Sequence, residues 1–394
     1  MRIKAKIKGI CRRLGAAAGD YEELLREQQR LGQAVEELKK KEAQQEKTLG
    51  ELKELLDGEL HRRDDWKKRE AEAKRQAEGR PIWVIKCPAP EDASRVRWGD
   101  YHYGVSLKRH LEKLGMYVIL DTREDWDCPY GEDVVLVLRG CKFYRPDRRN
   151  EKCLYIMWNI SHPDQVEKEE YELYDLVCVG SRYYAKELAK RVSVPVVPLQ
   201  QCTDTDLFFP DQTDTSRGDY IFIGNSRGIA RSCVMWSVED KLPLKIWGSG
   251  WGKILQGHMD LIEAPTIEND EIPALYRRAK VTLNDHWQDM LDYQFVNNRI
   301  FDALACGLPV ISDGCEELRE IFPEAVLYYS SREEFEQCLE KLEGDYESIK
   351  ACVRSQWEMI HEKYSFQARA RELVELAKKY REQEITPVPI LPIH

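Results

Sequence analysis

Apolar and polar residues follow two different rhythms along this chain, and the change falls near Gly79-Arg80-Pro81. Before it, residues 1–79 are dominated by Glu, Lys, Gln, Arg, Leu and Ala and hold no proline. Leu24, Gln28, Leu31, Val35, Leu38, Glu42, Gln45, Leu49, Leu52 and Leu56 recur at alternating spacings of three and four. Seven of these ten positions are apolar. That predicts a coiled coil over 20–79, and hence a homo-oligomer, loosened in its middle by Glu42 and Gln45. A long solvated helix packed on its own domain is the other reading of the same pattern. Within residues 1–19, Ile3, Ile7, Ile10 and Leu14 make a helical stripe beside Arg2, Lys4, Lys6, Lys8, Arg12 and Arg13. Such a stripe suits peripheral contact with an anionic membrane through residues 1–14. A frayed basic start fits it equally.

From residue 81 the pattern alternates short apolar runs with amphipathic ones. Strands are predicted at Pro81–Lys86, Met116–Leu120, Asp133–Leu138, Cys153–Trp158, Asp175–Val179 and Val194–Pro198, and helices at Gly104–Leu114 and Tyr183–Arg191. Continuous apolar strands between helices read as a parallel, doubly wound sheet. A polar loop with Pro210, Asp211, Asp214, Ser216 and Gly218 reads as an interdomain linker. A second series follows at Tyr220–Ile223, Leu244–Trp247, Val281–Asn284, Pro309–Ser312 and Val326–Tyr329. The repetition predicts an α/β protein of two Rossmann-like domains, 80–210 and 211–365, behind the helical segment. Helices at about 332–342 and 347–382 close the chain. A tail with Pro387, Pro389 and Pro392 reads as extended.

Charge and cysteine usage narrow the class. The net charge of −10, with a basic start, leaves the rest of the chain more acidic than the total. Nucleic acid is therefore not an expected partner. The twelve cysteines include no CxxC pair, and Cys153 and Cys178 sit in strand-like apolar contexts. A reducing cytoplasmic compartment is expected. Neither a signal peptide nor a membrane-spanning window is expected.

In open parallel sheets, ligands bind beyond the carboxyl ends of the strands. Four strand ends of the second series carry candidate chemistry. Gly224-Asn225-Ser226-Arg227-Gly228-Ile229-Ala230-Arg231 joins a close-approach glycine to Arg227 and Arg231, whose guanidinium groups suit a diphosphate. A plain strand-turn-helix with exposed arginines is the bland alternative. Gly248, Gly250 and Trp251 repeat the glycine pattern after the next strand, where a turn needing positive φ would look the same. Asn284 and His286, with Asp289 and Asp292 nearby, can bind sugar hydroxyls or serve as loop polar groups. Asn298 and Arg299 open an apolar helix that carries Asp302 in its first turns, where amides and dipole favour anions. Arg299 reads as a phosphate ligand or as the structural partner of Asp302.

These stretches, with Ile272-Pro273-Ala274-Leu275-Tyr276 and Asn298 through Gly307, give residues 81–382 their resemblance to GT-B-fold glycosyltransferases. The likeness is to the family-1-like, CgeB-like group in particular. The first domain resembles them through Gly99-Asp100-Tyr101-His102-Tyr103-Gly104 and through Asp204 to Pro210. The resemblance implies a nucleotide-sugar donor on the second domain and a glycan or lipid-linked acceptor facing the first. A role in surface polysaccharide biosynthesis, retention of configuration and independence of metal are implied with it. In related retaining enzymes two glutamates eight positions apart frame the donor. The second matches Asp302, which would hold ribose hydroxyls, and the first falls on Gln294. The base would lie near Thr266–Ile272.

If the enzyme inverts instead, it needs a base near the acceptor, and Asp100, His102 and His162 are the candidates. Each of the three also suits a capping or core hydrogen-bonding role. No cofactor and no metal site are expected. A different class stays open: a non-catalytic coiled-coil assembly protein with a degenerate sugar-nucleotide-binding body. An epimerase or phosphorylase on the same fold lacks its signature acids or lysine here.

Overall fold

The computed structural model describes residues 2–211 and 218–383. The chain divides into two units, 1–68 and 69–394. A single helix, α1 (Arg2–Ala77), forms the first unit and ends inside the second. In the first unit the expected seam is exposed: Leu24 by 68%, Leu38 by 65% and Leu56 by 59%. Ion pairs such as Arg62–Glu59 at 3.2 Å decorate it. Ile10 is exposed, while the side chains of Ile3, Ile7 and Leu14 lie outside the described residues, as does the tail from 384 onward. Asp214 and Ser216 of the expected linker lie outside them too.

The second unit takes up the end of α1. Ala73 and Ala77 are buried against the first sheet, and Glu78 and Gly79 at φ 52° and 83° terminate the helix. The expected series of strands follows. β1 (Ile82–Lys86), β2 (Tyr117–Asp121), β3 (Val134–Arg139), β4 (Leu154–Asn159), β5 (Leu176–Val179) and β6 (Val196–Pro198) form one parallel sheet in the order β2-β1-β3-β4-β5-β6. Among them lie α2 (Gly99–Lys113), α3 (Lys168–Tyr171) and α4 (Arg182–Leu188). β3 and β4 are buried at every position, as continuous apolar runs require.

The second sheet holds β7 (Tyr220–Ile223), β8 (Leu244–Trp247), β9 (Ile262–Ala264), β10 (Val281–Asn284), β11 (Val310–Asp313) and β12 (Val326–Tyr329). Its order, β12-β11-β10-β7-β8-β9, is again all parallel. It reverses between β7 and β10, as the first sheet reverses between β1 and β3. These are the switch points where a crevice must open. The helices here are α5 (Ser232–Glu239), α6 (Ile272–Arg278), α7 (Gln288–Asp292), α8 (Asn298–Ala305) and α9 (Glu316–Ile321).

The chain closes with α10 (Arg332–Gly344), α11 (Tyr346–Ser355), α12 (Trp357–Lys363) and α13 (Phe366–Arg381). The single helix expected over 347–382 is thus three. It breaks at Tyr364-Ser365 because the backbone there bonds to the linker: Thr203 N–H donates to Tyr364 and Phe366 N–H donates to Thr203. Ser365 then caps α13.

The two domains exchange packing. α13 buries Phe366, Ala370, Leu373 and Ala377 with Trp83, Leu107 and Trp158 of the first domain. Met290 and Phe295 of the second series lie in the core on the other face of the first sheet. Glu317, fully buried on α9, accepts from Ser181 Oγ (3.0 Å), Arg182 N (2.7 Å), Arg182 Nε (3.2 Å) and Gln200 Nε2 (2.7 Å). That carboxylate sits on the N-terminal turn of α4 and fastens the domains together. The cysteines are free, and among the described residues no helix is long and apolar enough to cross a membrane.

Candidate active site

The carboxyl ends of the two sheets face each other. On the second sheet, the loop after β7 runs Gly224 to Arg231 and the loop after β10 runs Asp285 to Trp287, one on each side of the switch point. Arg231 Cζ lies 4.5 Å from the Trp287 ring centroid and Arg227 Cζ lies 5.0 Å from the same ring. Arg231 Nε pairs with Asp285 Oδ2 at 2.9 Å, with both side chains nearly buried. Two guanidinium groups on one indole make a preorganised cationic face, because stacking fixes side chains that would otherwise move freely. Arg227 and Gly228 adopt left-handed backbone, φ 51° and 80°, so the loop is tightly coiled. Asp285 is raised by burial, opposed by Arg231 and Arg299. Its Oδ1 is buried without a protein hydrogen-bond partner.

On the first sheet, Asp100 opens α2 at the β1/β3 switch point. A Cβ on Gly140, after β3, would lie 3.4 Å from Asp100 Oδ1 and 3.2 Å from Ser161 Oγ, so the strand end packs closely on both side chains. Burial raises the Asp100 pKa, and His162 of its own domain and Arg227 of the other oppose that rise. Asp100 is thus within electrostatic reach of both sides of the cleft. His162, after β4, places Nδ1 3.3 Å from Asp289 Oδ2 on α7.

Two clusters bring three possible metal-ligand atoms within 4.8 Å of one another: His110, Asp204 and Asp206, and His162, Asp164 and Asp289. In the first, Arg109 and Lys113 already hold the two carboxylates. In the second, His162 Nδ1 lies 3.3 Å from Asp289 Oδ2, an oxygen buried without a hydrogen-bond partner.

Residues 232–375 match the family described as glycosyl transferase-like. Among solved structures, sucrose-phosphate synthase (tll1590) from Thermosynechococcus elongatus is similar at 14% identity and a TM-score of 0.58, over 77% of this chain and 100% of that one. AviGT4, a glycosyltransferase involved in avilamycin A biosynthesis, is similar at 15% and 0.53, over 76% and 97%. Anabaena Alr3699/HepE in complex with UDP and glucose is similar at 10% and 0.53, over 76% and 99%. No curated protein matches the chain by sequence. The chain thus has a GT-B fold, and residues 232–375 of it match a glycosyl transferase-like domain.

Within this GT-B body the expected site residues separate into two groups. Asp100, His162, Arg227 and Arg231 come together at the cleft, and Gly224 and Asn225 flank them. Gly224 lets Arg299 pass close by, since a Cβ there would lie 2.6 Å from Arg299 Nη1 and displace that guanidinium. Asn225 is exposed, and its Oδ1 accepts from Ser249 N and Oγ.

The others hold the scaffold. Gly248 (φ 151°) would press a Cβ to 2.1 Å from the Gly224 carbonyl oxygen, and Gly250 (φ 83°) to 2.6 Å from Ser226 Oγ. These glycines therefore zip two loops together and are not read as donor contacts. Trp251 is a core residue, 1% exposed, donating Nε1–H to Gly224. Asn284 is buried in β10 and donates to Ser312. His286 has both ring nitrogens committed: Nδ1 to Asp313 (2.6 Å) and Nε2 to Asn297 N–H. Both contacts tie the ring to the scaffold of the second sheet. Arg299 donates to the Ile223 (2.8 Å) and Asp285 (3.2 Å) carbonyls, which makes it a strut between β7 and the β10 loop. His102 donates Nε2–H to the Val96 carbonyl (2.7 Å), a local tie.

Asp302 changes role most. It is 8% exposed, accepts from Thr203 Oγ1 (2.6 Å) and from Asn298 Nδ2 (3.2 Å), and so anchors the interdomain linker. Burial pushes its pKa up to about 7. Gln294, the other frame position, caps α9 through Oε1 to Glu316 N (2.7 Å). Sequence reasoning missed Trp287 as the platform, Asp285 as the partner of Arg231 and Glu317 as the clasp. The Asn284-Asp285-His286-Trp287 run held the first two, but which of its side chains faces the cleft depends on loop geometry.

Proposed function

We propose that the protein transfers a sugar from a nucleotide-sugar donor to a glycan or lipid-linked acceptor, in surface polysaccharide biosynthesis. The observation that carries this reading is the Arg227–Trp287–Arg231 stack at the switch point of the second sheet, opposite Asp100 and His162 of the first. Negative charge grows on the diphosphate as the glycosidic bond breaks, and preorganised guanidinium groups stabilise it. They do so without a metal, so metal independence is part of the proposal. Asn225, Arg227, Arg231 and the amides of the Gly224 loop hold the donor; Asp100 and His162 face the acceptor. The HepE structure, of the same fold, holds UDP and glucose, which supports a donor of this class. The resemblance implies retention. Gln294, turned to α9, offers no carboxylate for that chemistry.

The same reading has the exposed leucine seam of α1 pair with a second copy, and the basic first turns rest on an anionic membrane from the cytoplasmic side. A binding screen of the full chain against UDP-, GDP-, dTDP- and CMP-sugars by calorimetry tests the donor claim. Binding of at least one, weakened in Arg231→Ala, is expected. Silence across the panel refutes it. Binding without turnover would favour an assembly protein with a degenerate body, a reading to which the exposed seam also lends itself.

A further inference from the structure

We propose that His110, Asp204 and Asp206 bind one divalent cation of the zinc class, which clips α2 of the first domain to the interdomain linker. The site stands apart from the donor cleft, and the inference does not depend on the transfer reaction.

His110 is the residue that calls for a ligand. It lies on α2, 3% exposed, and both of its ring nitrogens are buried without a hydrogen-bond partner among the described residues. Leaving a buried polar group unsatisfied is costly, and such a group points to a bound water or ion. The ring stacks on Phe366 of α13, with centroids 6.5 Å apart and planes at 15°, so its direction is set. Nε2 is aimed at two carboxylate oxygens of the linker, Asp204 Oδ1 at 3.6 Å and Asp206 Oδ2 at 3.7 Å.

These separations are too long for hydrogen bonds and suit a shared metal. Ligand atoms about 2.1 Å from a tetrahedral zinc stand about 3.4 Å apart. The three ligand atoms here all lie within 4.8 Å of one another. One imidazole nitrogen with two carboxylate oxygens favours zinc over magnesium or calcium, which take oxygen ligands in larger number. Both carboxyls are held below their usual range. Burial would raise Asp204, but its polar neighbours outweigh it, and Lys113 lowers Asp206. Asp206 is half-exposed, which leaves an entry path and room for a water as fourth ligand.

Two cationic side chains already touch these carboxylates, and both can yield. Lys113 Nζ lies 2.7 Å from Asp206 Oδ2, and Arg109 Nη2 lies 2.6 Å from Asp204 Oδ1. They are 54% and 46% exposed, and pairs so exposed are weak. The cation displaces Lys113, while Arg109 and Ser106 keep Asp204 Oδ2. His110 Nδ1 has no acceptor behind it, which lowers affinity about 10- to 100-fold against a site with a complete outer shell.

The position of the site gives it a consequence. The run Thr203 to Asp206 is gripped alternately from two sides. Asp204 and Asp206 are held by α2. Thr203 donates to Asp302 of α8, and Thr205 Oγ1 lies 2.9 Å from His361 Nδ1 of α12. A cation on Asp204 and Asp206 stiffens the first-domain grip on this pivot. His110 stands ten residues along α2 from Asp100, about 15 Å at 1.5 Å per residue, so the ion acts on the linker and away from the diphosphate.

The test uses the full chain, reduced, stripped with EDTA and dialysed, with no nucleotide sugar present. ZnCl₂ is titrated by calorimetry, and Co²⁺ serves as an optical probe. Zinc binding by the wild type is expected, with a melting temperature raised by a few degrees at a hundredfold excess over Kd. Asp206→Asn should weaken binding at least about tenfold. Lys113→Ala should tighten it about two- to fivefold, because the competing ammonium is gone. Both positions are half-exposed, so the metal-free variants should melt with the wild type. Co²⁺ should give visible bands without a near-ultraviolet thiolate charge-transfer band. No zinc binding by the wild type overturns the proposal. So does affinity unchanged in Asp206→Asn, or unchanged or weaker in Lys113→Ala. A thiolate band that accounts for all the bound metal overturns it in favour of the free cysteines.

Discussion

Asp302→Asn should make the protein more stable, by an amount that grows with pH. The carboxyl is 8% exposed, and burial sets its folded pKa at about 7. An unfolded aspartate titrates near 3.9. Between these values the folded state binds more protons than the unfolded one, so stability falls as pH rises, by about 1.4 kcal/mol per pH unit. Above pH 7 both states are ionised and the full cost stands at about 4 kcal/mol. Asparagine keeps an acceptor for Thr203 Oγ1 and carries no charge to desolvate. The difference between variant and wild type should therefore be near zero at pH 4 and approach about 4 kcal/mol at pH 8. Denaturant midpoints followed by tryptophan fluorescence at pH 4 to 8 measure it, since other titrating groups cancel in the difference. A difference independent of pH, or a variant less stable than wild type at pH 8, would refute the buried-carboxyl reasoning.

Three more outcomes follow from the same contacts. Glu317→Ala strands the donors of Ser181, Arg182 and Gln200 in a buried interface, and should cost about 3–5 kcal/mol in chemical denaturation; a loss under about 1 kcal/mol would remove its role as clasp. Gly248→Ala, with a Cβ 2.1 Å from a backbone oxygen, should yield little folded protein, measured by circular dichroism of the soluble fraction. Deleting residues 1–68 should leave the body's melting temperature unchanged and lower the assembly mass by light scattering, whereas an unchanged oligomer would refute pairing through α1.

The strands were legible because their signal is local. Tyr220–Ile223, Leu244–Trp247, Val281–Asn284 and Val326–Tyr329 stand where the apolar runs place them. Helix ends were less so. α2 begins at Gly99, five residues before the apolar face starts, because Asp100 and His102 occupy its first turns. The site was half legible. Arg227 and Arg231 declare themselves by charge after a strand, but Gly248 and Trp251 have the composition of a ligand loop and serve to close one loop on another. Asp302 and His286 carry the right atoms in the right stretch. What commits those atoms elsewhere is Thr203, 99 positions away from Asp302, and Asp313, 27 away from His286. No local pattern reports such partners.

The claim that this GT-B body transfers sugar from a nucleotide donor is tested most directly by incubating the wild type with the donor that binds it and following the glycosidic phosphate bond by phosphorus NMR. The account predicts release of free nucleoside diphosphate by the wild type, reduced about 10- to 100-fold in efficiency by Arg231→Ala as one charge-assisted phosphate contact is lost. An intact donor after prolonged incubation, with and without candidate glycan or lipid-linked acceptors, would contradict it.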